Sequence, residues 1–434
     1  MLSWNGDRSH TDCDGTSRRD FLRIGTLGLS SFGLPQLLAA RAQAAQAGKP
    51  VKDTSVIWLW LQGGPTHIET FDPKMSAPLG VRSVTGEVNT VLPGVTFGGT
   101  FPELAREADK LAVVRSFAHK NSGHGGGTHW VMTGYDNRAI DNGGMPTRPA
   151  LGSIVSKVRG PNHPVSGIPT YIKLGQIPAD GPAFLGPAAA PFDPNGPARR
   201  NMALTTKVDR FNDRRELLTS LDRFQREADS KGMMAGLDAF EQQAFNLIMG
   251  DAAKAFEMKG EDSRSRRNYG DGLGRQLMMA RRLCEAGAAF VTVNFGGWDM
   301  HGRIEQSMRR RGAELDRAVA AFIRDLHAKG LSEKILLVIS GEFGRTPRLN
   351  GNGGRDHWAP LSTLALAGGG LKMGQVVGQS SSRLDVPASR PVTPQDLMAT
   401  VFHVLGIDQH TQYVNPQGRP VNMLEEGQVI PELV

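Results

Sequence analysis

Three short pieces near the C-terminus place carboxylates and imidazoles where a chain turns: G-G-W-D-M-H (296–301), S-G-E-F-G-R-T-P (340–347) and G-R-D-H-W (354–358). They carry Asp299, His301, Glu342, Arg345, Asp356 and His357. Carboxylate oxygen and imidazole nitrogen gathered from several loops are the donor set of a divalent metal such as Zn²⁺, Mn²⁺ or Ca²⁺. Any one of these residues alone reads first as ordinary loop polarity, but the set reads as a metal site. A fourth piece, H-K-N-S-G-H-G-G-G-T-H-W (119–130), spaces His119, His124 and His129 by five. Its histidines read either as site residues or as groups that shape a Gly-rich turn, and Ser122 and Thr128 read as turn hydroxyls before they read as nucleophiles. Arg345 offers a planar fork that suits the oxygens of a phosphate or sulfate.

The elements that must position these residues follow from the apolar pattern. Ser55 to Leu61 is a β-rich run stopped by Gly63-Gly64-Pro65, and Thr66 with Glu69 forms a capping-box signature that predicts a helix start beyond it. Such a helix N-terminus would suit an anion. A second buried strand is expected at Leu111 to Phe117, with 119–130 as the loop after it. Nine of the 26 prolines lie between 160 and 200, which predicts an irregular insertion or lid without a strand or helix core. Asp209 to Met258 reads as charged outer helices. Then a βα rhythm sets in: a helix through Leu273, Leu277, Ala280 and Cys284, a strand from Ala289 to Asn294, a helix through Leu315, Val319, Phe322 and Leu326, and a strand from Ile335 to Ser340. Thr363 to Ala367 offers another strand, and Thr393-Pro394 with Asp396 opens a capped helix closed by Gly406. The alternation predicts an α/β fold with a mainly parallel sheet sandwiched by helices. In such a sheet ligands bind beyond the carboxyl ends of the strands, so the loops to inspect follow Leu61, Phe117, Asn294 and Ser340.

The N-terminus reads as an address. S-R-R-D-F-L-R (17–23) precedes an apolar stretch from Ile24 to Leu38 and a small-residue tract ending at Ala47, the layout of a twin-arginine export signal over residues 1–47. The apolar stretch is too short and too rich in Gly and Ser for a membrane span, and nothing later has the length to cross a bilayer. The expected partner is the twin-arginine translocase, the expected location periplasmic or extracellular, and the mature chain 48–434 is expected to form one domain without a transmembrane anchor. Cys13 falls in the signal, which leaves Cys284 unable to form an internal disulfide. The formal charge of +7 is mild over 434 residues and no Lys/Arg run interleaves with aromatics, which argues against nucleic acid. An anionic small molecule or polysaccharide ester remains compatible with it. A redox enzyme finds neither a G-x-G-x-x-G loop after a strand nor a reactive Cys pair.

These motifs carry a resemblance. G-G-W-D-M-H-G-R, followed by L-D-R-A-V-A-A-F-I-R-D-L and I-L-L-V-I-S-G-E-F-G, resembles the metal-binding half of the alkaline phosphatase superfamily, which includes sulfatases and cofactor-independent phosphoglycerate mutases. V-T-P-Q-D-L-M-A-T-V-F-H-V-L-G-I is similar to the late helix of sulfatases. Together with the export signal, G-G-P-T-H-I-E-T-F-D-P-K, H-W-V-M-T-G, E-F-G-R-T-P and G-R-D-H-W, they resemble an exported sulfatase-like family catalogued as domain of unknown function 1501, over about residues 17 to 430. The resemblance implies an alkaline phosphatase-like fold and one metal on Asp299, His301 and His357, with Glu342 where an acidic ligand of a second metal would stand. Gln62-Gly63 replaces a metal-binding Asp, and Phe343 replaces the usual His or Asn after the acidic ligand. Counting back nine residues from Thr133-Gly134 reaches His124 where a Ser, Thr or Cys nucleophile would be expected. The implied function is hydrolysis of a sulfate or phosphate ester, with Arg345 holding the anion and His124 attacking, accepting a proton or ligating. The alternative is a catalytically degenerate relative that binds anionic glycans or exported proteins.

Overall fold

Val56, Trp58 and Trp60 face one hydrophobic core while Ile57, Leu59 and Leu61 face another, because successive side chains of a strand point to opposite faces and both faces of this strand are covered. In the computed structural model, which describes residues 52–196 and 252–434, this strand is an inner strand of a seven-stranded sheet. In chain order the sheet strands are β1 (Ser55–Trp60), β2 (Ala112–Val114), β3 (Tyr171–Leu174), β4 (Phe290–Asn294), β5 (Ile335–Ser340), β6 (Leu364–Gly368) and β7 (Gln375–Val377). Their spatial order is β7-β2-β6-β5-β1-β4-β3. β1 runs parallel to β4 and β5, β3 to β4, and β7 to β2, while β6 is antiparallel to both its neighbours. The protein is thus an α/β fold with a mainly parallel sheet sandwiched by helices, as the alternation of apolar runs implies.

The principal helices are α1 (His124–Thr133), α2 (Leu151–Arg159), α3 (Leu273–Glu285), α4 (Ile304–Ala328) and α5 (Pro394–Leu405). Leu277 of α3 and Leu315, Val319 and Phe322 of α4 enter the core on one face of the sheet; Val131 of α1, Ile154 of α2 and Leu397 and Val401 of α5 enter the core on the other. α5 begins as its sequence dictates. Thr393 Oγ1 accepts from the Asp396 amide, Asp396 accepts from the Thr393 amide, and Gly406 closes the helix in the left-handed conformation. No helix among the described residues is long and apolar enough to cross a membrane.

Three expectations are corrected. The Thr66–Glu69 signature makes a single turn and no helix: Thr66 Oγ1 donates to Glu69 Oε2 at 2.6 Å, but Glu69 is then drawn to Arg355 at 2.8 Å and the chain leaves into Pro73. The helix N-terminus expected to hold an anion there is absent. The 119–130 stretch is a loop only as far as Gly123, and α1 starts at His124. Its glycines cost helix propensity but give clearance, since a Cβ on Gly126 would meet Asn121 Nδ2 at 2.3 Å. Asp141, returning from beyond the helix, accepts from the amides of Gly125 and Gly126 at 2.8 and 3.0 Å. Finally, the Pro-rich stretch is not wholly irregular, because β3 inside it forms the edge of the sheet beside β4. The predicted export signal and most of the helical stretch expected from Asp209 to Met258 lie outside the described residues.

Candidate metal centre

The loops after β1, β2, β4 and β5 converge at the carboxyl end of the sheet. Close approach is enforced at Gly63, whose φ is +115° and where a Cβ would sit 2.3 Å from the Asp299 amide. That contact locks the turn after β1 against the loop after β4. A short antiparallel pairing of Gly344–Arg345 with His357–Trp358 sets Arg345 opposite His357, which brings G-R-D-H-W beside the other pieces.

Three imidazoles point at one carboxylate. His301 Nε2 and His357 Nε2 lie 3.0 and 3.1 Å from Asp299 Oδ1 and 3.0 Å from each other. His124 Nε2 lies 3.5 Å from Asp299 Oδ2. The other nitrogen of each ring is tied down: His301 Nδ1 to Asp356 Oδ1 at 2.6 Å, His357 Nδ1 to the Ser122 carbonyl at 3.0 Å and His124 Nδ1 to Glu342 Oε1 at 2.8 Å. A carbonyl or an ionised carboxylate can only accept, so each Nδ1 carries the hydrogen, and in the neutral ring each Nε2 presents its lone pair. The result is an acceptor-only cluster. Oxygen and nitrogen ligands held about 2.1 Å from a divalent ion at right angles would stand roughly 3 Å apart, which is the triangle formed by Asp299, His301 and His357. His124, Asp299 and His357 also offer ligand atoms within 4.8 Å of one another. The donor set therefore fits a metal ion, and the Nδ1 anchors are the outer partners that fix such ligands.

The proton chemistry is consistent with this reading. Burial raises the Asp299 pKa, but the Arg345 guanidinium, donating from Nη2 at 2.5 Å, outweighs it and holds the carboxyl at about 2. His357 is lowered by burial and by Arg345. His124 is raised, chiefly by its hydrogen bond to Glu342. A proton at His124 is the other means of neutralising the cluster, and a metal ion would compete with it.

One expected role changes and another gains a second part. Arg345 is fully buried, and its fork donates to the carbonyls of Gly63, Gly64 and Arg355 as well as to Asp299. Those donors are spent on the backbone, so it aims Asp299 and does not clamp an ester. Glu342, expected as a ligand, directs Oε1 at His124 Nδ1 and at the Gly63 amide, both at 2.8 Å, and so orients His124, while its Oε2 is buried without a partner among the described residues. The hydroxyls weighed as nucleophiles are engaged as well. Thr128 Oγ1 donates to the His124 carbonyl at 2.6 Å, and Ser122 Oγ accepts from the Ala359 amide at 3.0 Å. His129 lies outside the cluster, with Nδ1 on the Tyr135 carbonyl at 2.8 Å, and His119 is buried against the Trp130 ring. The sequence puts Asp356 in the donor set without an individual role, and the structure makes it the partner of His301 Nδ1.

Beside the cluster opens a cleft of about 390 Å³ lined by Gln62, His124, Thr128, Pro178, Asp299 and Glu342 together with Gly63, Gly296 and Gly297. About half of the side-chain surface of His124, Asp299 and His301 remains accessible (44, 46 and 45%), so the site is open to a ligand.

Among solved structures, the chain is similar to a sulfatase from Pseudoalteromonas sp. at 12% identity and a TM-score of 0.41, over 86% of this chain and 71% of that one. It is similar to the lipoteichoic acid synthase LtaP from Listeria monocytogenes at 10% identity and a TM-score of 0.39, over 89% and 77%. A phosphonate monoester hydrolase from Silicibacter pomeroyi matches at 10% identity and a TM-score of 0.37, over 87% and 76%. No curated protein matches the chain. A family model matches residues 53–434, and the chain belongs to that family, described as Protein of unknown function (DUF1501).

Proposed function

We propose that this protein is an exported, metal-dependent hydrolase of sulfate or phosphate esters that works in the cleft beside Asp299. The observation that carries the reading is the convergence of three Nε2 lone pairs on one carboxylate, each ring with its Nδ1 anchored. Asp299, His301 and His357 would hold the ion. When bound, a divalent ion supplies Lewis acidity toward the ester and acidifies water.

The chain's own residues do the rest. Arg345 fixes Asp299 from below, while Asp356 and the Ser122 carbonyl fix the two imidazoles. His124 stands at the cleft with Nδ1 on buried Glu342, the base-and-orienter pairing of general base catalysis. In this reading a water gives its proton to His124 Nε2 and bonds to sulfur or phosphorus, the bond from that atom to the alcohol oxygen breaks, and His124 returns the proton to the departing alcohol oxygen. Thr128, whose hydroxyl lines the cleft, donates to the His124 carbonyl, and Ser122 does not line the cleft, so this reading takes water as the nucleophile.

Steady turnover of aryl sulfate or bis-phosphate esters, abolished by chelation and restored by metal, is the expected result; turnover that resists chelation would contradict it. His124→Ala should cut turnover by on the order of a hundredfold while metal content holds. The absence of an unengaged hydroxyl or thiol lining the cleft among the described residues favours a second reading, a protein that binds anionic glycans without turnover. Metal-loaded protein inactive on every ester would support it. The export part of the proposal rests on Ser17 to Arg23. Arg18→Lys with Arg19→Lys should leave the precursor in the cytoplasm on cell fractionation.

A further inference from the structure

α4 begins three residues after His301 and carries arginines at heptad spacing: Arg303 just before its first turn, then Arg310, Arg317 and Arg324. Seven residues make nearly two whole turns, so side chains so spaced share one face of a helix and recur about every 10 Å along it. All four are exposed. The last is neutralised, with Glu103 at 2.8 Å and Glu107 at 3.3 Å. The first three are not. Glu305 is taken by Arg309 at 2.7 Å and Glu314 by Arg311 at 3.3 Å. That leaves Arg303, Arg310 and Arg317 without a carboxylate partner among the described residues.

A neighbouring element extends the charge. The short helix Ser263–Tyr269 packs against α4, and Arg317 Nη2 donates to the Arg267 carbonyl at 2.9 Å. This adds the exposed Arg264, Arg266 and Arg267 to the same patch. Asp262 spends its carboxylate on capping the short helix, and exposed Asp271, past Gly270, trims the patch at its far end. The near end is tied to the metal centre. The Arg303 and Ile304 amides donate to the Asn352 and Gly353 carbonyls at 3.1 and 3.0 Å, while Asn350 Nδ2 donates to the His301 carbonyl and to Asp356 at 3.0 Å. The row of cations therefore starts at the rim of the acceptor cluster. A lone unpaired arginine on a helix face is ordinary solvated surface. Here, between residues 263 and 317, eleven Arg stand against six Asp and Glu, so most of the chain's formal +7 falls in this one stretch.

We propose that this face is a docking track for a linear anionic polysaccharide, whose charged groups pair in turn with Arg317, Arg310 and Arg303 and so lead the polymer to the metal centre. Guanidinium forks suit sulfate and carboxylate oxygens, and a row of them fits an anion that repeats along a chain. Single-stranded nucleic acid would need aromatic platforms among the cations. Tyr269, the aromatic residue of the short helix, is 2% exposed, and Phe322 of α4 is fully buried. The inference goes beyond the ester-hydrolase reading, because binding to the track needs no metal.

The test is a binding titration that needs no turnover. Full-length protein is titrated with end-labelled dextran sulfate, with uncharged dextran and with poly(dT), each across a salt series and with a chelator present throughout. Dextran sulfate should bind with an affinity that falls as salt rises, and dextran should not bind. Arg310→Ala with Arg317→Ala should weaken dextran sulfate binding by about tenfold and lower its salt slope by about two. Arg383→Ala with Arg419→Ala removes the same charge from exposed arginines elsewhere. That pair should change the affinity less than about twofold, since screening confines the effect of an exposed charge to its neighbourhood. Equal losses in the two pairs would reduce the effect to net charge and overturn the inference. Tighter binding of poly(dT) than of dextran sulfate, or no salt-sensitive binding of dextran sulfate, would overturn it as well. Protein that takes up no metal and still binds in this way would sink the hydrolase reading and leave the track standing.

Discussion

Two clusters of charged side chains lie one residue apart in G-R-D-H-W and are built on opposite principles. Arg355 and Glu69 are both fully buried and saturate each other. Arg355 Nε and Nη2 reach Glu69 at 2.8–3.2 Å, and its remaining donors take the carbonyls of Val81, Arg82, Thr346 and Pro347. Glu69 also accepts from Thr66 and from the Val84 amide. Around Asp299, by contrast, lone pairs face lone pairs and the side chains are half exposed. A cluster whose donors and acceptors balance has no need of a ligand and serves to tie the turn after β1 to the 346–355 loop. A cluster of acceptors alone calls for a cation. Perturbed charges in a cleft point to function when acceptors remain after the local pairing, as they do here: Arg345 takes one place on Asp299 Oδ1, and the imidazole Nε2 atoms around it still face one another.

Breaking the balanced cluster should cost most. Arg355→Met leaves Glu69 buried without its cation and four carbonyls without a donor, so stability to urea should fall by about 3–5 kcal/mol. Added metal should not restore it, and Arg355→Met with Glu69→Gln should recover part of the loss. A smaller effect should appear with acid at His67, which is 4% exposed. Burial, only partly opposed by its hydrogen bond to the Leu384 carbonyl, lowers its pKa from 6.5 to about 4. The unfolded chain therefore takes up a proton that the folded chain refuses. The stability is present above pH 6.5 and is lost as pH falls toward 4. Against His67→Gln, the wild type should lose about 3 kcal/mol across that window, read from denaturation curves at each pH. A parallel pair of curves would contradict the assignment.

On the other side of the comparison, Asp356 touches the acceptor cluster only through His301 Nδ1. Asp356→Asn should leave folding nearly unchanged and weaken metal affinity by about tenfold to a hundredfold, as removal of an outer partner does. Titration with a competing chelator would measure it.

How much of this could be read in the sequence differs between the two clusters. β1, β4 and β5 were legible because buried parallel strands are unbroken apolar runs, and α5 because its cap is local. Asp299, His301 and His357 were legible as chemistry because their types and turn settings are unusual together. The rest depended on contacts far apart along the chain. Arg345 looks like an anion clamp until the pairing of Gly344–Arg345 with His357–Trp358 turns it toward the Gly63 and Gly64 carbonyls. Glu342 looks like a ligand, and that its Oε1 also orients His124 could not be read, because His124 is laid over it by a helix that its own glycines argue against. Glu69 signals a helix cap in the sequence, and Arg355, 286 residues later, claims it.

The central claim is that the acceptor cluster holds a cation, and elemental analysis of the purified protein tests it most directly. The account predicts about one tightly held divalent ion per chain, lost in Asp299→Ala with His357→Ala, and a rise in thermal stability with metal that the double variant lacks. A wild-type protein free of metal, whose melting does not move on adding Zn²⁺, Mn²⁺ or Ca²⁺, would contradict it.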